Sequence, residues 1–338
     1  LRLLLGDRTV RRSIWVICWT TGFTVSVARW SERHRRIGEF GSDRLAPMMV
    51  LDISTLQALG AAFFFGTGLV LTNIGFRWTG ALQGGMVSIS TTAILFLVLS
   101  PFVVDWQRWD ATGAMIFAAI GLFYPAIVNL LAFEGNQRVG PSITGAVGNM
   151  TPLFAVLAAI AFLGEAPGLV QVIAIAVILI GVSLMTISRG RGAAAGWALV
   201  ALLFPLVAAV IRGLAQPFVK VGLEFWASPF AAITVSYIVS ALLLFTVCSV
   251  STAKPLKGLE RRGIAWFVLV GLCHSAANLL FYRALVDASV TVVAPLVASY
   301  PIATLILSRL LIRGTQIPWS VVLGVVVTVG GVVLLLVG

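Results

Sequence analysis

Charge is scarce in this chain. Only 10% of its 338 residues are Asp, Glu, Lys or Arg, and two histidines and three cysteines complete the reactive groups. A soluble surface needs about a quarter of its residues charged, so a water-soluble globule is excluded. Cys18, Cys248 and Cys273 are too few and too scattered for a disulfide framework or a metal-ligand pattern. The chain contains no GxSxG elbow, no HExxH pair, no Walker loop and no GxGD. Gly140-Pro141-Ser142-Ile143-Thr144-Gly145 sets its second glycine one place too far for a serine elbow. The expectation is a protein without catalytic residues, metal or cofactor.

What is present is apolar: 59% of residues are hydrophobic and the mean hydropathy is +1.05. From one charge to the next, ten uncharged intervals have 20 residues or more: 53–76, 78–104, 111–133, 139–164, 166–188, 192–211, 225–253, 263–282, 288–308 and 314–338. About 20 apolar residues at about 1.5 Å each cross a bilayer core of about 30 Å. Barrel strands would alternate apolar and polar over about 10 residues, and these stretches do not. The spacing predicts an all-α integral membrane protein with ten transmembrane helices and short loops. The net charge of +11 lies in loops and the N-terminal segment, where it reads as topology and lipid-headgroup contact rather than nucleic-acid binding.

Residues 1–47 hold nine of the 23 basic residues and no methionine, and Met48 and Met49 stand just before the first long apolar interval. They read as an Arg-rich segment ahead of a true start at Met48 or Met49. Ser13–Ala28, uncharged behind Arg11 and Arg12, is the alternative of a signal-peptide core, without a small-residue cleavage pattern after it.

Sliding the chain against itself by 149 residues lays Asn129-Leu130-Leu131 on Asn278-Leu279-Leu280, Pro152 on Pro301 and Gly181 on Gly330. The implied units are residues 48–190 and 191–338, five helices each. An odd number of spans per copy inserts the second copy upside down, so the halves form an inverted repeat suited to alternating access.

At these residues the chain resembles an EamA-type repeat of the drug/metabolite transporter superfamily. The motif runs from Asn129-Leu130-Leu131-Ala132-Phe133 through Gly140-Pro141-Ser142, Pro152 and Leu163-Gly164-Glu165 to a helix with Gly181. It recurs from Asn278 through Phe281-Tyr282-Arg283-Ala284-Leu285, Pro295 and Pro301 to Gly330 and Gly331. Two departures stand out: Gly314 occupies the place of Glu165, and Phe133-Glu134 replaces the usual Ala-Leu or Ala-aromatic pair. The resemblance implies a carrier of metabolites, amino acids or drug-like cations, with its termini in the cytoplasm.

Polar groups inside spans are the binding candidates, because each is costly there unless paired or wet. Asn129 and Asn278 hold equivalent places, as amides for a solute or as interhelical glue. His274, one turn before Asn278 on the same face, offers a proton near neutral pH or a helix contact. Tyr124, Tyr300 and Asn149 add hydrogen-bonding groups. Arg212, with Gln216 one turn on, reads either as an anion site or as a side chain snorkelling to a nearby interface. Pro152 and Pro301, each removing one backbone donor, would kink their helices or open a polar spot, as interrupted helices do where they line a central site, and so gate it. Gly181 and Gly330 would let the last helices of the halves pack closely.

Beyond residue 47, the odd-numbered loops carry ten basic residues and the terminus-side loops four. That bias favours outside termini and opposes the resemblance. The function expected is a secondary transporter, an exporter of a small organic solute in the plasma or inner membrane, driven by a proton or solute gradient and acting as monomer or homodimer. A lipid-linked carrier or flippase, and a membrane sensor or scaffold, are the rival readings.

Overall fold

The computed structural model describes residues 52–132, 134–135, 147–187, 198–250, 260–311 and 319–337. The expectations for residues 1–47, Met48 and Met49 lie outside these. All regular structure among the described residues is helical. An apolar backbone out of water must bond to itself, and within one segment only a helix does so. Helix α1 spans Ile53–Gly75, α2 Ala81–Val103, α3 Ala111–Ala132, α4 Thr151–Leu163, α5 Leu169–Ile187, α6 Ala198–Phe225, α7 Pro229–Val250, α8 Arg261–Asp287, α9 Val290–Val297, α10 Tyr300–Leu311 and α11 Trp319–Val337.

Seven stretches are long and apolar enough to cross a membrane: α1, α2, α3, α6, α7, α8 and the joined α9–α10, Val290–Leu311. Thr151–Leu163, Leu169–Leu184 and Trp319–Leu335 are shorter apolar helices. Large apolar side chains such as Phe102, Ile94, Leu310 and Val326 point outward, as a lipid-solvated surface requires.

The packing of the two matched segments repeats with roles exchanged. α1 lies against α8 and α10, and α6 lies against α3 and α4; α2 pairs with α7, and α5 with α11. Hydrogen bonds follow the same exchange. Thr92 Oγ1 on α2 donates to Gly271 O on α8 (3.0 Å), and Ser240 Oγ on α7 donates to Gly121 O on α3. Ser275 Oγ adds a bond to Thr92 Oγ1 at 3.1 Å and Ser236 Oγ one to Phe117 O at 2.9 Å. Small residues permit these approaches. A Cβ at Gly66 of α1 would stand 2.6 Å from Tyr300 O, and one at Gly181 of α5 would stand 2.8 Å from Gly324 O of α11.

Three expectations need correction. Gly330 does not pack: among the described residues no heavy atom lies within 4 Å of a Cβ placed there, and the close approach falls to Gly331, 2.8 Å from Ile178 N. One residue turns a helix by about 100°, which carries Gly330 off the α5 face. The prolines do not kink continuous helices. Pro152 sits in the first turn of α4 after a turn at 149–150, and Pro301 in the first turn of α10 after a turn at 298–299. There a missing N–H costs nothing, so each proline opens the second piece of a broken helix. Finally, α6 does not stop at Arg212 but continues through Lys220 to Phe225, which leaves Arg212 in the middle of the helix.

Candidate functional site

A cavity of about 450 Å³ opens between the two matched segments. α1 contributes Phe65 and Asn73, α3 Tyr124 and Asn129, the turn before α4 Asn149, and α4 itself Pro152. α6 contributes Arg212 and Gln216, α7 Tyr237, α8 His274, Asn278 and Tyr282, and α10 Tyr300 and Pro301. Thus Asn129, Asn278, His274, Tyr124, Asn149, Tyr300 and Arg212 share one hollow with both prolines, while Gly181 lies outside it. The breaks before Pro152 and Pro301 both face the cavity, where irregular backbone can be tolerated in a membrane.

The polar groups fall into bonded and open sets. Asn278, buried on α8, is saturated across three helices: Tyr124 Oη donates to its Oδ1 (3.3 Å), and its Nδ2 donates to Tyr237 Oη (3.0 Å) and to His274 O (2.7 Å). On the α10 side Tyr300 Oη donates to Asn149 Oδ1 at 3.2 Å, and Asn149 Nδ2 reaches Val182 O at a long 3.5 Å. Asn129, the repeat counterpart of Asn278, has no side-chain hydrogen bond among the described residues and is only partly buried. The pair equivalent in sequence is therefore unequal in structure: Asn278 ties helices and Asn129 faces the hollow.

His274 lies against α1, with its ring 6.0 Å from that of Phe65, and a Cβ at Gly68 would touch it at 2.9 Å. Among the described residues its ring nitrogens bond to nothing. Arg212 is the sole charged side chain among the described residues of the lining, and no described carboxylate pairs with it.

Tyr237, Phe65, Phe76 and Phe267 were not candidates from the sequence, Phe281 and Tyr282 stood there only in the repeat motif, and Gln216 only beside Arg212. One signal was available, because the chain holds four tyrosines in all and every one of them lines the cavity. Gln216 Oε1 and Tyr282 Oη are buried with no hydrogen-bond partner among the described residues.

A second polar assembly lies outside the cavity, at the Leu163-Gly164-Glu165 motif that ends α4. Gly164 ends α4 at φ +67°, a left-handed conformation that glycine adopts freely, and aims Glu165 at the start of α9. Glu165 Oε1 accepts Val290 N–H and Oε2 accepts Thr291 N–H, both at 2.9 Å. Lys220 Nζ stands 3.8 Å from Glu165 and donates to Ala288 O at 2.6 Å.

A helical, lipid-solvated body built from two matched segments around a polar hollow defines a multi-pass membrane protein of the transporter type. The chain belongs to the EamA-like transporter family, whose model matches residues 53–187 and again 199–337. The second match places a whole repeat after the first, as the offset of 149 required. A solved structure described only as "Crystal structure of protein" superposes with a TM-score of 0.65 at 15% identity, covering 83% of this chain and 97% of that one, which supports the fold. No curated protein matches the chain.

Proposed function

We propose that the chain is a secondary carrier that exports a small organic solute across a plasma or inner membrane. The observation that carries this reading is the seam cavity, whose walls come from both matched segments and from the broken helices that begin at Pro152 and Pro301. In this reading residues 48–190 and 191–338 form two inverted units of five spans, ten in all, and rocking one against the other exposes the hollow to each side in turn. The solute leaves chemically unchanged. Asn129, Arg212, Tyr300 and Asn149 contact it, and Asn278 holds Tyr124 and Tyr237 in place. His274, whose ring is open to the cavity, carries the coupled proton, and a monomer or homodimer with cytoplasmic termini does the work.

The test is flux of a labelled solute panel in sealed vesicles containing the purified chain, with and without a pH gradient. Export faster than in empty vesicles, dependent on the gradient and weakened by Asn129→Ala at equal protein level, is the expected result. Rates equal to those of empty vesicles across the panel would remove the carrier reading.

A further inference from the structure

A charge in the middle of a membrane-spanning helix is expensive, and proteins keep one there only where it is paired, wet or used. Arg212 is the fifteenth residue of the 28-residue α6, so neither end of that helix is near enough for easy snorkelling. It lines the cavity together with Tyr124, Tyr237, His274 and Tyr300, and has no acidic partner among the described residues. Gln216, on the same face one turn later, is nine-tenths buried with its Oε1 unbonded among the described residues. A cation without a counter-charge among the described residues of such a place marks a site built for something not supplied by the chain.

We propose that the cavity binds an organic anion, its acidic group on Arg212 and an aromatic or other planar apolar body against the rings of the lining. This rests on the carrier reading and narrows it to a charge class. A guanidinium presents parallel N–H donors that match the two oxygens of a carboxylate or sulfonate. Phe65, Phe267 and Phe281 offer ring faces and edges for the body. An organic cation finds no described carboxylate in the lining to neutralise it and meets Arg212 as a like charge. A cavity of about 450 Å³ has room for one ring-bearing organic molecule.

The test uses one body and three charges: benzenesulfonate, benzenesulfonamide and phenyltrimethylammonium. Binding is read as thermal stabilisation of the purified full chain, and flux as counterflow in phosphatidylcholine vesicles. The expected order is sulfonate well above sulfonamide, with no response to the ammonium. Arg212→Gln should reduce the sulfonate-to-sulfonamide preference at least tenfold, while Arg212→Lys retains part of it, a change in selectivity that mere loss of packing does not produce. Preference for the ammonium, an anion preference that survives Arg212→Gln, or binding of none of the three overturns the proposal. Sulfonate binding lost when phosphatidylglycerol is added overturns the solute assignment in favour of a lipid headgroup. Flux confined to the neutral or cationic probe leaves the carrier reading standing without the anion site. Arg212-dependent binding without any flux leaves the site standing without the carrier.

Discussion

Glu165 and Thr291 lie 126 residues apart in the chain and 2.9 Å apart in space, the carboxylate of one accepting the backbone N–H of the other. With Val290 N–H on the second oxygen, the side chain that follows α4 caps the N-terminus of α9. Four N–H groups at a helix start lack partners within the helix, and a carboxylate satisfies two here while meeting the positive end of the helix dipole.

Glu165→Ala should therefore lower stability by about 2 kcal/mol, the value of charge-assisted hydrogen bonds at a half-buried site. Glu165→Gln should cost less, since an amide oxygen still accepts one N–H. Lys220→Met should cost about 1–2 kcal/mol, less than Glu165→Ala, because it removes one hydrogen bond to Ala288 O and a loose 3.8 Å contact where Glu165→Ala removes two hydrogen bonds and the helix-end charge. Thermal unfolding of the three variants in one detergent provides the ranking, and a Lys220 effect larger than that of Glu165→Ala would refute the cap.

Gly181 and Gly330 should behave oppositely despite their matched places in the repeat. Gly181→Ala forces a Cβ against the α11 backbone and should destabilise by about 1–3 kcal/mol. Gly330→Ala meets open space and should be neutral or stabilising by up to about 1 kcal/mol. The pair of melting temperatures decides it; equal losses would mean that α5 and α11 meet on another face.

Asn278→Ala removes one buried amide from three hydrogen bonds and should cost about 1 kcal/mol, a typical value for interhelical bonds in bilayers. Asn129→Ala breaks none among the described residues and should change stability by less than about 0.5 kcal/mol. Unfolding midpoints in matched detergent distinguish the two, and a stability loss at Asn129 as large as that at Asn278 would contradict their division of roles.

These contrasts show how far a sequence can be read. Seven spans followed from uncharged length, because a bilayer demands self-bonded backbone, and the two repeats from an offset that survives in Asn129, Asn278, Pro152 and Pro301. The cavity candidates were legible because polar groups are rare in such text. Equivalence in the repeat did not extend to partners, since Asn278 and Asn129 differ by what tyrosines stand opposite them. The register of one glycine against a neighbouring helix was equally out of reach, as was the continuation of α6 past Arg212, where charge was taken for an end. Glu165 looked like a boundary because its two bonding partners are 125 and 126 residues downstream.

The tyrosines give the cavity one more property. Tyr124, Tyr237, Tyr282 and Tyr300 are the chain's whole stock of phenols, and all stand on its walls. Nitrotyrosine can thus form in this chain nowhere else, and the extent of tyrosine nitration, read on the tyrosine-bearing peptides, becomes a gauge of whether the hollow is open, shut or filled.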